Sequence, residues 1–329
     1  MKWTTIIGHT SQVAMLQHMQ GGGRVPHALL FSGPKGIGKR MVADVLAAAL
    51  LCNSDANRPC GTCRSCRQMA YGNHPDFMLL APEGSAIKIE QIRGLQQNAA
   101  RVPSMSECRV CVIDDAEKMT TQAANSLLKV LEDPTGGLIF ILIAANKQMM
   151  LTTILSRCLC IAFQPLADEV LAGALTGKGY FPQSAEVAAR LSGGRMGIAL
   201  GLLEPEGLAL RNQALEILES LLEDGMNGVW HWALRLEKME RNEILEIIRY
   251  ATYLLRDMLL LSAGQDGRLL FNIDRIEKMS VIGGQWREAG LLQAIRAAEN
   301  AGRALHANAN IRLTGEALLI KIHDLVKEG

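Results

Sequence analysis

The chain has 329 residues, of which 49% are hydrophobic and 20% are charged, and its formal net charge is +1. This length suggests two or three domains, and the composition supplies enough apolar side chains for ordinary globular cores. The near-neutral balance excludes a protein that binds nucleic acid through its overall charge, although it allows a local basic face.

No targeting or membrane-spanning segment is expected. The first residues, MKWTTIIGHT, lack the apolar core of a signal peptide. The longest purely apolar run, LIFILIAA at 138–145, is too short to cross a bilayer and predicts a buried strand instead. We therefore expect a cytoplasmic protein without membrane contact, whose eight cysteines do not form a disulfide framework.

The first half of the chain alternates short apolar runs with helical patterns. Helices are predicted at 41–52 and at 120–134, and the second ends at Pro134 because proline cannot continue a helix. Continuous apolar runs between helices indicate an α/β fold with a parallel sheet covered on both faces. The predicted strands are ALLFSG at 28–33, FMLLAP at 77–82, RVCVIDD at 109–115, LIFILIAA at 138–145 and LCIAFQPL at 159–166.

The strand pattern ends near Pro165, and the rest of the chain is helical by period. NEILEIIRYATYLLRDMLLL and GEALLIKIHDLV carry apolar residues at three- and four-residue spacing. The turn-rich LEPEGL separates a small helical segment from this region. Three domains are predicted: an α/β domain at 1–165 with a cysteine-rich module at 52–66, a small helical domain at 166–207 and a helical bundle at 208–329.

The segment GPKGIGKR contains the phosphate-binding pattern G-x-x-x-x-G-K, directly after a predicted strand and before a predicted helix. In such a loop the backbone N–H groups cradle phosphates and the lysine reaches the β- and γ-phosphates of a nucleotide. Position 40 holds Arg where the pattern requires Ser or Thr for Mg²⁺, so ATP or ADP binding is expected, whereas Mg²⁺ binding and hydrolysis are in question. The predicted nucleotide-binding residues of this loop are Gly33, Pro34, Gly36, Gly38 and Lys39.

The strand RVCVIDD ends in two acids beside this loop. Its Asp114 can hold Mg²⁺ directly or through water, and is predicted to belong to the same site. An active ATPase of this type has Glu at the next position to orient the attacking water. This chain has the shorter Asp115 there and places Glu117 further along, which weakens the prediction of hydrolysis.

Four cysteines within fifteen residues follow the spacing C-x7-C-x2-C-x2-C. Thiolates at this spacing in a cytosolic chain are typical of a tetrahedral zinc site, and four protein ligands leave no position for a substrate. We therefore predict structural Zn²⁺ rather than a set of thiols in a loop, and we expect the other four cysteines to be small core residues. The predicted ligands are Cys52, Cys60, Cys63 and Cys66.

Together these motifs resemble the clamp-loader subunits of the AAA+ ATPase family. HALLFSGPKGIGK, PCGTCRSCRQM, VCVIDDAEKM, NSLLKVLEDP and TILSRC occur in that family's order and spacing over at least residues 24–163, and NANIRLTGEALLIKI resembles its C-terminal collar helices. The segment HPDFMLLAPEG resembles the delta-prime branch of the family. The pairs Lys39-Arg40 and Asp114-Asp115 depart from the Lys-Thr and Asp-Glu of its motor subunits.

The resemblance implies a role for the whole chain. It implies a lid at 166–207, a collar at 208–329, and a pentameric ring with gamma/tau-type ATPases and a delta-type clamp-opening subunit. That ring, part of the DNA polymerase III holoenzyme, loads the sliding clamp on primer-template DNA. The subunit itself would not hydrolyse ATP.

The resemblance also assigns roles to single residues. Alone, Arg157 of the segment LTTILSRC would be interpreted as a surface charge, but in this family it is the arginine finger that acts in trans on the neighbour's ATP. Asn146 lies near the sensor-1 polar residue and joins the predicted nucleotide site. Gly197 stands where motor subunits carry a sensor-2 Arg, and Arg195 lies two residues away.

Three alternatives remain open at this point. An active gamma/tau-type motor subunit would show steady-state ATPase activity as an isolated chain. A P-loop kinase of small molecules needs neither Arg40, nor the SRC context, nor the helical C-terminal third. A zinc-dependent nucleic-acid-binding module would show salt-dependent DNA binding by residues 50–70 alone.

Overall fold

The computed structural model describes residues 1–55, 57–99, 102–132 and 137–327. The chain divides into two compact units, Met1–Ala174 with Gly193–Gly197 and Leu175–Ser192 with Ile198–Gly329. None of the described helices combines the length and the apolar composition needed to cross a bilayer.

The N-terminal unit contains a parallel five-stranded sheet with the strand order β2-β3-β4-β1-β5. Each strand lies within an apolar run that the sequence predicted, so the predicted α/β fold with a parallel sheet is confirmed. Every residue of β1 and β3 is buried, because helices cover both faces of these inner strands. The strands are β1 at Ala28–Ser32, β2 at Phe77–Leu80, β3 at Arg109–Ile113, β4 at Leu138–Ala144 and β5 at Leu159–Ala162.

The helices of this unit pack on the two faces of the sheet. Alternate residues of β1 point in opposite directions, so Leu30 belongs to one hydrophobic cluster with Leu127, while Phe31 belongs to the other with Leu46. The predicted helix end at Pro134 lies outside the described residues. The helices are α1 at Thr10–Gly21, α2 at Lys39–Leu50, α3 at Arg64–Ala70, α4 at Ile89–Ala99, α5 at Thr121–Glu132, α6 at Thr152–Leu155 and α7 at Asp168–Gly177, whose last residues belong to the second unit.

The C-terminal unit is helical, as its apolar period predicted. Two of its helices begin earlier than their apolar stretches: α12 starts at Arg241 behind a capping box of Glu240 and Glu243, and α15 starts at Ile311. The helices are α8 at Pro182–Ser192, α9 at Met196–Leu202, α10 at Ala209–Glu223, α11 at Met226–Leu236, α12 at Arg241–Ser262, α13 at Ile276–Gly283, α14 at Glu288–His306 and α15 at Ile311–Lys327.

Helix α8 is joined to the C-terminal bundle by a cluster of charge-assisted hydrogen bonds. Arg190 donates to the carbonyl oxygens of Gly267 (3.2 Å), Arg268 (2.9 Å) and Leu270 (2.6 Å). These bonds explain why α8 groups with the bundle as one compact unit. The three-domain division at 165 and 207 stays a prediction, because compactness does not test which segments fold independently.

Candidate functional site

The predicted phosphate-binding residues form one loop between β1 and α2. Gly33, Gly36 and Gly38 have positive φ values of 150°, 82° and 101°, a conformation that L side chains rarely adopt. A Cβ at Gly33 would also lie only 2.3 Å from the Phe163 carbonyl oxygen. The glycines of the pattern are therefore required by the backbone, and the loop delivers the chain directly to the N-terminus of α2, where anions bind well.

The lysine of the loop forms hydrogen bonds with the loop's own carbonyl oxygens. The Lys39 ammonium group donates to the carbonyl oxygen of Gly33 and to that of Pro34, the latter at 2.8 Å. Burial lowers the pKa of Lys39, and the carboxylates of Glu117 and Asp114 oppose that shift. A nucleotide phosphate would have to draw this lysine away from two carbonyl oxygens.

Arg40 lies beside the acid that would hold a metal ion. Its Nη1 is 3.2 Å from Asp114 Oδ2, and its Nε is 2.8 Å from Asp44 Oδ1. A guanidinium is permanently charged, so a fixed cation stands against Asp114 and competes with Mg²⁺ for it. The structure thus places Asp114 beside the segment that follows the loop. The residue that contacts Asp114 there is Arg40, at the position where the motif has a hydroxyl side chain.

Asp115 is also engaged by cations. Lys35 lies 3.0 Å and Lys118 2.8 Å from its carboxylate. Burial acts to raise the pKa of Asp115, but the hydrogen bonds from Lys118 and Lys35 lower it overall. The carboxylate is therefore held in two ion pairs and is poorly placed to orient an attacking water.

Asn146 follows β4 on an exposed turn. Its Oδ1 accepts a hydrogen bond from the Gln148 N–H at 2.9 Å, which caps the short helix Lys147–Met149. The preceding residue, Ala145, donates to Glu117 Oε1 at 3.2 Å. Contact between Asn146 and a nucleotide stays a prediction, and Glu117 is the acid that links this turn to the segment after β3.

The four predicted zinc ligands form a cluster. Their Sγ atoms all lie within 4.8 Å of one another, and the Cys52–Cys63 and Cys60–Cys66 Sγ pairs are each 3.9 Å apart. A tetrahedral zinc ion with Zn–S bonds of about 2.3 Å separates its sulfurs by roughly 3.8 Å. The cluster can therefore hold one Zn²⁺ with little rearrangement.

The backbone around this cluster favours thiolates. The N–H groups of Cys63 and Cys66 point at the sulfurs of Cys60 (3.3 Å) and Cys63 (3.4 Å). Backbone hydrogen bonds from Thr62 and Cys63 lower the pKa of Cys60 to about 5. Burial raises the pKa of Cys66 to about 12, so this thiol loses its proton readily only when a bound cation stabilises the thiolate.

The remaining cysteines differ in burial. Cys111 is buried, as expected of a core residue, and Cys108 and Cys158 are half-buried. The expectation was wrong for Cys160, which is exposed because β5 forms an edge of the sheet.

A buried polar chain that the sequence did not reveal connects the cysteine cluster to β2. His74 Nδ1 accepts the backbone N–H of Asp76 at 3.1 Å, which leaves the proton of the neutral ring on Nε2 facing Ser65 Oγ at 2.9 Å. Ser65, on α3, in turn donates to the Leu51 carbonyl. Burial lowers the pKa of His74 and so favours the neutral ring. The HPDF segment thus supports the helix that carries Cys66.

Asp76 of the same segment organises a neighbouring loop. Its fully buried carboxylate accepts backbone N–H groups from Ser104 (2.7 Å), Met105 (2.8 Å) and Ser106 (3.0 Å), and Arg109 Nε lies 3.7 Å away. Asp76 therefore fixes the backbone of residues 104–106 beside the start of β3.

We expect Asp76→Ala to lower the free energy of unfolding by about 3–5 kcal/mol, because it leaves three backbone N–H groups without their acceptor and the buried Arg109 guanidinium uncompensated. Urea unfolding measures the change. Glu237→Ala is the matched control, since Glu237 lies 3.6 Å from Arg312 on the surface and should contribute under about 1 kcal/mol. Equal stability of the two variants would contradict the role given to Asp76.

Arg157 lies apart from the glycine loop. It follows α6, and its Nη1 donates to the Thr153 carbonyl oxygen at 2.9 Å. Its Nη2 lies 2.6 Å from Glu132 Oε1 at the end of α5, and its side chain is 35% exposed. Within the described residues its hydrogen bonds go to these two elements and to Ser156, so the guanidinium does not serve the chain's own loop.

The strand order and the glycine loop between β1 and α2 define a P-loop protein of the AAA+ class. A family model described as "DNA polymerase III, delta subunit" matches residues 8–167. The chain is 29% identical to DNA polymerase III subunit delta′ of Bacillus subtilis over 306 residues, which are 92% of each chain.

Two further relatives match about half of the chain. Subunit delta′ of Pseudomonas aeruginosa is 39% identical over 150 residues, which are 45% of this chain and 46% of the relative. Subunit tau of Escherichia coli is 33% identical over 165 residues, which are 50% of this chain and 26% of the relative. The chain belongs to the delta-prime family of DNA polymerase III clamp-loader subunits.

Proposed function

We propose that this clamp-loader subunit does not hydrolyse ATP itself and instead completes the ATP site of a neighbouring subunit with Arg157. It would act in the cytoplasm within a pentameric ring of gamma/tau-type and delta-type subunits that loads the sliding clamp on primer-template DNA. Residues 208–329 would form its collar, residues 166–207 its lid, and the four clustered cysteines would hold a structural Zn²⁺.

The observation that carries the proposal is the position of Arg40. Its guanidinium lies 3.2 Å from Asp114, where an ATPase would have a hydroxyl and Mg²⁺. Asp115, the neighbouring acid, is paired with Lys35 and Lys118. The half-buried Arg157 guanidinium is hydrogen-bonded to α5 and α6 rather than to the glycine loop, which supports action on a second subunit.

Two measurements test the proposal. Steady-state ATPase assays of the isolated chain should show little Mg²⁺-dependent turnover, and robust turnover would instead favour an active motor subunit. Co-purification with candidate gamma/tau-type and delta-type subunits, followed by mass measurement, should give a hetero-oligomer that contains one copy of this chain. A chain that stayed alone under those conditions would contradict the assembly.

We expect the wild-type loop to bind nucleotide weakly or moderately, and Arg40→Thr to bind Mg²⁺–ATP about tenfold more tightly. The change removes a positive charge next to Asp114 and supplies an oxygen to the metal. Turnover should stay low, because Asp115 remains in its ion pairs and Gly197 offers no sensor-2 side chain. Equilibrium binding of a fluorescent ATP analogue, with and without Mg²⁺, measures the effect.

Arg40→Lys is the control for that experiment, because it retains the charge without adding a metal ligand. The lysine variant should bind like the wild type. A threonine variant that bound no better in Mg²⁺ than in its absence would show that Arg40 does not exclude the metal.

A further inference from the structure

We propose that Glu132 is a positioning residue for the arginine finger, holding the Arg157 guanidinium in the orientation from which it meets the neighbour's γ-phosphate. This inference rests on the proposed function. Glu132 Oε1 lies 2.6 Å from Arg157 Nη2 and accepts a short charge-assisted hydrogen bond from it.

The guanidinium is held from two sides. On one side, Nη1 donates to the Thr153 carbonyl oxygen at 2.9 Å and lies 3.3 Å from Ser156 Oγ. On the other side is the Glu132 carboxylate. A guanidinium has five N–H groups, and these contacts use three of them among the described residues, so two remain to meet phosphate oxygens.

Both anchors stand on packed elements. Glu132 ends α5, whose Leu131 is 1% exposed, and Thr153 lies on α6 next to Ile154, which is fully buried. The two helices contact each other. The two residues that hold the guanidinium are exposed, but the helices that carry them are anchored in the core of the unit.

Such a hold matters because the arginine side chain is long and partly exposed. An unheld side chain would lose the conformational entropy of its rotamers when the neighbour's site closes. An exposed ion pair is weak, so Glu132 biases the side chain without sequestering it from a phosphate. Because this ion pair is weak, Glu132 is better suited to orienting Arg157 than to keeping it away from the neighbour's phosphate.

The test compares reconstituted loaders that contain wild-type or altered copies of this chain. In Glu132→Ala, we expect the kcat of DNA-stimulated ATP hydrolysis at the adjoining site and the rate of clamp loading to fall about twofold to fivefold, with the KM for ATP unchanged. Glu132→Asp should recover part of the loss. Glu132→Ala combined with Arg157→Ala should be no slower than Arg157→Ala alone, because both act through one guanidinium.

Glu219→Ala is the matched control, since Glu219 pairs with Lys278 at 2.7 Å in the C-terminal unit. It should behave like the wild type, and all variants should keep the wild-type unfolding temperature and zinc content. If Glu132→Ala fails to fold, Glu132→Gln, which keeps the volume and loses the charge, replaces it.

The outcomes separate this inference from the proposed function. If Arg157→Ala slows the loader and Glu132→Ala does not, Glu132 is an ordinary surface charge and the positioning role is overturned. If Glu132→Ala speeds hydrolysis, the carboxylate competes with phosphate and the role is again overturned. If Arg157→Ala itself has no effect, the finger function fails.

Discussion

Replacing Arg157 with alanine is expected to abolish most ATP hydrolysis at the adjoining site while leaving this chain folded and zinc-bound. Phosphoryl transfer spreads negative charge over the γ-phosphate oxygens, and a guanidinium placed against them contributes roughly 10³–10⁵ in rate. Among the described residues, the hydrogen bonds of the Arg157 guanidinium go to Glu132, Thr153 and Ser156 of its own chain, so ring assembly should be largely preserved. Clamp loading should fall together with hydrolysis.

The measurement is DNA-stimulated ATPase and clamp loading by a ring reconstituted with one altered chain. Arg157→Lys should restore little, because an ammonium is a point charge without the planar fork that meets two oxygens at once. Arg93→Ala, which removes an exposed arginine on α4 of the N-terminal unit, is the matched control. If Arg157→Ala matched the wild type in both assays, Arg157 would be a surface charge.

The second large effect is expected from Cys63→Ser. Protein purified without chelator should contain one equivalent of zinc, and the variant should lose it. Structural zinc in small modules contributes an apparent binding free energy of about 10–16 kcal/mol, so residues 52–66 should lose their fixed structure in the variant. Metal analysis and limited proteolysis at these residues measure the two consequences.

Serine is an informative replacement because Cys63 has a second role. Its Sγ also accepts the Cys66 N–H at the start of α3, and a serine hydroxyl can cap a helix equally well. A loss of structure in Cys63→Ser therefore reports the metal rather than the cap. Cys160→Ser, at an exposed cysteine outside the cluster, is the control and should keep its zinc. A Cys63→Ser variant with a full equivalent of zinc would contradict the assignment.

The strands of the sheet could be predicted because each lies in a short apolar run between helical patterns. Val110 and Val112 lie on one face of β3 and Cys111 on the other, and all three are fully buried, so the sequence shows a continuous apolar stretch. The strand order could not be predicted in this way, since every strand carries the same kind of apolar run and pairing leaves no mark on composition.

The residues of the candidate site also differ in whether the sequence alone reveals them. The loop glycines and the four cysteines could be predicted because backbone geometry and ligand spacing depend on residues that are close together in the sequence. The pairs Arg40–Asp114 and Arg157–Glu132 join residues 74 and 25 positions apart, so only the folded chain shows them. The same holds for Ser65 and His74, whose contact lies inside the core and not within a recognisable motif.

The packing of Gly197 against the glycine loop bears on how the subunit could change over evolution. Its N–H donates to the Gly36 carbonyl oxygen at 2.8 Å, and a Cβ at this position would lie 3.3 Å from both the Cα and the carbonyl oxygen of Gly36. A side chain there would push the loop aside by a few tenths of an ångström. A chain with threonine at position 40 would therefore still lack a side chain at position 197 and could add one only by moving the loop. If the subunit does not hydrolyse ATP, as proposed, an ATPase could evolve from it only through changes at both of these positions and at Asp115.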